Sequence, residues 1–525
     1  MNRHGRSFLV GLLGLSFSLS LAAAESKLDP RLFAGRAEGE TASVLVVMRE
    51  QADLSGAEAF SDKAEKSRFV FEALSSQAAA TQAPLRARLD AAGIPYRSFY
   101  LVNMIELKAD RSLAEELAAR EDVSSVAPNP EVPLSRPDAP PMDSSAPHAL
   151  RLTPYDESTV EPNIAKIRAP EVWSQGFTGQ GIVIGVADTG MAWQHPAIKS
   201  HYRGFTGAVA SHDYNWHDAV HNAVATNPCG SDAPAPCDDD GHGTSTTSLT
   251  LGDDGVGNQI GVAPGARFIG CRNMDQGRGT AARYTECFQF FLAPTDHNGL
   301  NPRPEVGAHV INNSWGCPAP SRPQGEDCTD PNILRSVVEN VRAAGILVVV
   351  SAGNDGPACS TVLDPPALYE ASFTVGATNN ADAIASFSSR GPITVDGSNR
   401  LKPDICAPGV NTRVARPPDG YTSAFSGTSA SGPHVAGAVA LLFSAVPRLI
   451  GRPAAAEDVL RRSAVPLTST QDCGGFPGAA VPNPVFGYGR LDIAAAVLLA
   501  SPVARPTPSL SPRRGGGARP IAPRT

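Results

Sequence analysis

Three side chains that together can make a nucleophile stand in glycine-rich settings along this 525-residue chain. Asp188 lies in Val186-Ala187-Asp188-Thr189-Gly190, and His242 in Asp240-Gly241-His242-Gly243-Thr244. Ser429 lies in Gly427-Thr428-Ser429-Ala430-Ser431-Gly432-Pro433-His434. Glycine and small residues let a backbone turn tightly beside a reacting atom. A serine hydroxyl is a poor nucleophile at neutral pH. It needs an imidazole to take its proton and a carboxylate to hold that imidazole in the right tautomer. Singly, each motif has an ordinary reading: an Asp at a strand-to-turn junction, a His in a loop, a Ser capping a helix. Taken together, in the order Asp, His, Ser, they differ from the Ser-Asp-His order of α/β-hydrolases and the His-Asp-Ser order of chymotrypsin-like folds.

Two other signals are decoys. Gly179-Gln180-Gly181 precedes the apolar run Ile182–Val186 instead of following a strand, so it is not a dinucleotide fingerprint. Cys237-Asp238-Asp239-Asp240-Gly241-His242 has neither the carboxylate spacing of an EF-hand loop nor the His spacing of a zincin. A solvated acidic loop is the expectation there, with no metal site.

A net charge of −8 without a Lys/Arg-rich stripe argues against nucleic acid as a partner. Residues 1–24 read as an export signal: Arg3, His4 and Arg6, then the apolar run Ser7–Leu21, then Ala22-Ala23-Ala24. The apolar run is short of the roughly 20 residues that a span needs, so no membrane span is expected in the mature form. The expected location is extracellular or periplasmic, and nine cysteines agree with an oxidising compartment. Cys229/Cys237 and Cys317/Cys328 are close enough to pair, with Cys271/Cys287 and Cys359/Cys473 as weaker pairings. Nine is odd, and Cys406 is the candidate buried thiol, although connectivity does not follow from sequence.

The elements that must position these residues fall into two blocks. Within 25–135, Val44–Val47 and Val123–Val126 read as strands, Ser98–Leu107 as one or two more, and Arg68–Ala92 and Ser112–Arg120 as helices, giving the order β-α-β-β-α-β. Pro128–Pro147 is rich in Pro, Ser and Asp and reads as exposed linker, with 136–154 assigned to it. From 155 to 500, apolar runs such as Ile182–Val186, Ala308–Asn312 and Ile346–Val350 read as strands buried on both faces, separated by helices such as Asn332–Ala344. The expected fold class is α/β, a doubly wound parallel sheet with its chemistry at strand ends. The segment 501–525 is Pro/Arg-rich, without an acid, and reads as disordered.

These motifs resemble the subtilisin-like serine peptidases, the subtilase family. Val262-Ala263-Pro264-Gly265-Ala266 and Asn312-Asn313-Ser314-Trp315-Gly316 are most similar to its bacillopeptidase F-like branch. The resemblance implies an endopeptidase of protein or peptide substrates, with Asp188, His242 and Ser429 as the triad. It makes Asn354, in Gly353-Asn354 after Val350-Ser351-Ala352, the oxyanion donor. Ser314, Trp315 and Gly316 would form one edge of the substrate cleft and Gly277 and Gly279 the other. Asp364 falls near the pocket for the residue before the cut, where it would favour Lys or Arg. As an alternative, Asp364 simply turns the chain before Pro365-Pro366. The family also implies that 25–135 is an inhibitor-type propeptide of ferredoxin-like fold. No cofactor is implied for the chemistry; structural calcium is compatible with the family, with unknown ligands. Ala430 stands where Met usually follows the nucleophile, and Ser245 where His often follows Gly-Thr.

Overall fold

The structure, a computed structural model, describes residues 27–137, 160–317, 328 and 330–501. The expected leader 1–24, the linker beyond Pro137 and the tail beyond Ser501 lie outside the described residues.

The N-terminal module is built from β1 (Ala42–Met48), α1 (Lys63–Ala91), β2 (Tyr96–Phe99), β3 (Met104–Ala109), α2 (Arg111–Ala119) and β4 (Val123–Pro128). The strands form an antiparallel sheet in the order β2-β3-β1-β4, so the β-α-β-β-α-β pattern holds. Helix α1 starts five residues ahead of its expected position because the Asp62 carboxylate accepts the Glu65 N–H and caps it. Val44, Val46, Leu85, Leu89, Ile105 and Val126 make the module's core.

The body carries a seven-stranded sheet, entirely parallel. In chain order the elements used below are β5 (Val132–Pro133), β6 (Val183–Asp188), β7 (Trp216–Asp218), α3 (His242–Leu251), β8 (Arg267–Arg272), β9 (Met274–Asp275), β10 (Arg278–Gly279) and α4 (Ala281–Leu292). They continue with β11 (Val310–Asn313), α5 (Arg335–Ala343), β12 (Leu347–Ser351), β13 (Phe373–Thr378), β14 (Ile405–Pro408) and α6 (Thr428–Ala445). The large sheet runs β14-β13-β12-β11-β6-β8-β7. Its strand order reverses between β6 and β11, the place where a crevice opens beyond the carboxyl ends of a doubly wound sheet.

Both faces are covered, which is why the central strands are apolar throughout. On one face Val435, Val439 and Leu442 of α6 meet Ile184, Val186, Val310 and Val349. On the other, Phe288 and Phe291 of α4 and Val337 and Val341 of α5 meet Ile311, Val348 and Val350. At 0–1% exposure these side chains stabilise the fold by about 1.5–3 kcal/mol each relative to remaining in water.

The N-terminal module docks on the α4/α5 face. Lys63 Nζ donates to the Gly307 carbonyl (3.0 Å) and Ser67 Oγ to the Ala344 carbonyl (3.0 Å). Gln289 of α4 accepts the N–H groups of Tyr100 and Leu101 (2.6 and 3.0 Å). Arg97 of β2 reaches Glu286 of α4 (2.8 Å). Burial opposes charge on Glu286, but hydrogen bonds from His217 and His221 prevail and hold its carboxyl well below the usual range, so the Arg97 partner is an anion.

Disulfides join Cys229–Cys237, Cys271–Cys287, Cys317–Cys328 and Cys359–Cys473, and Cys406 is a buried thiol. Each pairing matches its expectation. Among the described residues no helix is long and apolar enough to cross a membrane, and no group of three or more His, Cys, Asp or Glu is arranged to hold a metal ion.

Candidate active site

Asp188 is the last residue of β6, His242 the first of α3, and Ser429 sits in the first turn of α6. All three therefore lie at element ends beside the β6/β11 reversal. The approach of α3 to the turn after β6 requires glycine: a Cβ on Gly243 would stand 2.0 Å from the Gly190 carbonyl oxygen. Gly190 itself has φ +110°, and a Cβ there would meet the Cys237 carbonyl at 1.8 Å. These contacts explain the glycines flanking both motifs.

His242 Nδ1 lies 2.7 Å from Asp188 Oδ1. A carboxylate only accepts, so the proton of this bond sits on Nδ1. Asp188 is fully buried and is fixed by the Thr189 N–H (2.8 Å) and the Thr246 hydroxyl (3.1 Å). Helix α6, which carries Ser429, packs against α3. The Ser429 hydroxyl donates to the Ser314 carbonyl (3.1 Å).

Proline shapes this corner. Pro433 has no N–H to give the carbonyl four residues back, which is that of Ser429. The Ser314 hydroxyl donates to that carbonyl instead (3.2 Å), and Ser351 does the same for Thr428 (2.8 Å). The sheet's β11 and β12 ends thus hold the start of α6. The motif histidine His434 is structural: Nδ1 faces the Ala430 carbonyl (2.7 Å) and Nε2 the Asn163 amide (2.8 Å). Burial pushes its pKa down to about 4, so it stays neutral.

Asn354 follows the loop after β12. Its Oδ1 accepts the Thr428 N–H (2.9 Å) and hydroxyl (3.0 Å), which turns the amide NH₂ into the crevice. There Nδ2 donates to the Ser135 carbonyl (3.2 Å). Ser135 belongs to a stretch expected to be exposed linker, and that expectation is overturned for 132–135, while Arg136 remains exposed. Val132–Pro133 pairs antiparallel with Arg278–Gly279 as β5, and Leu134 N–H donates to the Gly277 carbonyl (2.7 Å). Val132 is fully buried. The apparent linker composition was misleading because a two-residue edge strand leaves little periodicity to read.

Gly277 and Gly279 therefore flank an extended segment of the chain itself. Ser314 and Gly316 line a small cavity with Ser135, Asn354, Asp364 and Ser429, and the Trp315 backbone passes between them. The Trp315 ring has a structural task, stacking on Tyr284 (centroids 3.8 Å apart) and donating to the Ala187 carbonyl (3.0 Å). Asp364 contributes to this corner through both its backbone and its side chain. Its carbonyl accepts the Ala367 N–H in a turn, and its carboxyl group packs on Gly316 in the cavity wall.

The acidic run 238–240 corrects another expectation, since it is not a solvated loop. Asp238 accepts from Thr189 Oγ1, from Thr244 N–H and Oγ1, and from the N–H groups of Asp240 and Gly241. Burial raises its pKa against those bonds. Asp239 pairs with fully buried Arg272 (3.1 Å), and burial raises it to about 6. Asp240 Oδ1 and Oδ2 lie 2.6 and 2.5 Å from Arg136 Nη2. Thr246, Thr428 and Asp238 escaped the sequence reading. Only Asp238, three residues ahead of Gly241 in an Asp-Asp-Asp run, carried a visible signal.

The doubly wound parallel sheet, with Asp188 at one strand end and His242 and Ser429 opening two helices that pack together, fits the fold implied by the resemblance to subtilisin-like peptidases. In agreement, the profile of the subtilase family matches residues 179–489, and the chain belongs to that family. It is 36% identical over 402 residues to bacillopeptidase F of Bacillus subtilis, a match covering 75% of this chain but 26% of that protein. It is also 30% identical over 293 residues to subtilisin DY of Bacillus licheniformis, covering 55% of this chain and 87% of the relative. The chain thus spans about a quarter of the length of bacillopeptidase F and most of that of subtilisin DY.

Proposed function

We propose that this chain is an exported serine endopeptidase whose N-terminal module is an inhibitor-type propeptide, the last residues of which fill the substrate cleft. The observation that carries the reading is the seating of 132–137: main-chain pairing to β10, with the Ser135 carbonyl on Asn354 beside Ser429. Antiparallel main-chain recognition accepts many sequences, which suits a protease acting on varied protein substrates.

In this reading Ser429 Oγ swings from Ser314, attacks the Ser135 carbonyl carbon and passes its proton to His242 Nε2. Asp188 keeps Nδ1 protonated and stabilises the imidazolium that forms. The developing oxyanion takes hydrogen bonds from Asn354 Nδ2 and from the Ser429 N–H, one of the free donors in the first turn of α6. His242 returns the proton to the leaving amine of Arg136. Water then hydrolyses the acyl-enzyme with His242 again as base. The Ser135–Arg136 bond is accordingly the maturation site, and residues 25–135 are released. Four disulfides support a destination in an oxidising compartment.

Fluorophosphonate labelling paired with a casein digest tests the reading. Wild type should be labelled once, at Ser429, and should digest casein, while Ser429→Ala does neither. Labelling without digestion would indicate an esterase. Absence of labelling in a chain already freed of 25–135 would leave a subtilase fold that only binds.

A further inference from the structure

The three acids before His242 have three different destinations. Asp238 is consumed by loop hydrogen bonds and Asp239 by Arg272, but Asp240 faces the cleft. Its main chain is held by Asp238, so its carboxylate is presented from a fixed loop. Among the described residues, its partner outside that loop is Arg136.

Arg136 is the residue directly after the bond whose carbonyl sits on Asn354. The register is set independently by β5–β10 pairing and by the Leu134–Gly277 bond, so main-chain seating brings Arg136 to this point of the cleft, and its guanidinium then meets Asp240. Pro137 continues past Gly427, within 3.5 Å of where a Cβ there would stand. Gly277, with φ +78°, leaves the space between the two edges open: a Cβ on it would lie 3.6 Å from Asp240 Oδ2 and 3.7 Å from Arg136 Nη2. Side-chain exposure is 17% for Asp240 and 55% for Arg136, so the acid belongs to the wall and the cation is the visitor.

We propose that Asp240 forms an acidic subsite on the leaving-group side of the scissile bond, selecting substrates with Arg or Lys as the first residue after the cut. The proposal rests on the endopeptidase reading and deepens it: the substrate class becomes polypeptides with a cation at that position. The pair is partly exposed, so its worth is that of a half-solvated ion pair and should fade with salt.

The test uses internally quenched peptides of sequence Val-Pro-Leu-Ser-X-Pro, with X as Arg, Lys, Gln or Glu and the matured wild-type protein. Mass spectrometry of the products confirms the cut before X. We expect kcat/KM for Arg and Lys to exceed that for Gln by about 3- to 10-fold in low salt, shrinking toward unity at 1 M NaCl. Asp240→Asn should abolish the Arg/Gln ratio, and Asp240→Lys should favour Glu. Fluorophosphonate labelling verifies that each variant retains an assembled site, and the wild-type salt series stands without any variant. Cleavage before X at rates independent of its charge would overturn the subsite while leaving the protease intact. A ratio unchanged in Asp240→Asn would overturn the assignment to Asp240. Failure of wild type to cut any of these peptides or casein would overturn the endopeptidase reading, and the subsite with it.

Discussion

Ser429→Ala is expected to lower kcat on a peptide substrate by about 10⁶-fold, the size of the loss when subtilisin itself is stripped of its nucleophile. Without the hydroxyl there is no acyl-enzyme, and His242 and Asp188 are left with no proton to manage. Adding His242→Ala to Ser429→Ala should cost almost nothing further, because groups that act as one unit are not additive. Residual turnover should come from the cleft edges and Asn354, which still bind and polarise a carbonyl. The fold should be indifferent: the hydroxyl makes one hydrogen bond, to Ser314, and removing it should change stability by less than about 1 kcal/mol. Steady-state kinetics with a thermal melt check both halves. A loss of only ten-fold, or a collapse of the melt, would contradict the assigned role.

Asn354→Ala should reduce kcat by about 10²–10³-fold with little change in KM, again the magnitude known for the corresponding donor in subtilisin. In the proposed role the split is expected, because the amide would serve a charge that is full only in the transition state. Here the amide is oriented by Thr428, whose N–H and hydroxyl both point at Oδ1. Asn354→Asp should be at least as damaging, since a carboxylate has no proton to donate to the oxyanion. A variant that raised KM and left kcat unchanged would make Asn354 a ground-state contact only.

The three glycine-wrapped motifs were legible because their chemistry and their close packing are written in the same few residues. Gly190 and Gly243 are where two main chains touch, so the sequence displays them next to Asp188 and His242. The β-strands of the large sheet were legible for a related reason: Val348, Val349 and Val350 are buried on both faces and cannot alternate. What stayed hidden depends on partners far away in the chain. Val132–Pro133 is a strand only because Arg278–Gly279 receives it, and its prolines pointed to linker. The Asp238–Asp240 run looks solvated until Arg272 and Thr244 are placed around it. Asp364 was readable as a turn or as a pocket residue; its carbonyl closes a turn while its side chain stands in the cavity wall, and only the turn has a signal in the neighbouring prolines.

Self-cleavage is expected at the Ser135–Arg136 bond. Wild type and Ser429→Ala, expressed in a protease-deficient host and weighed intact, test this directly. Wild type should yield a fragment ending at Ser135 and a body beginning at Arg136, while Ser429→Ala keeps the two joined. Identical trimming of both proteins, or a wild-type cut at another bond, would contradict it.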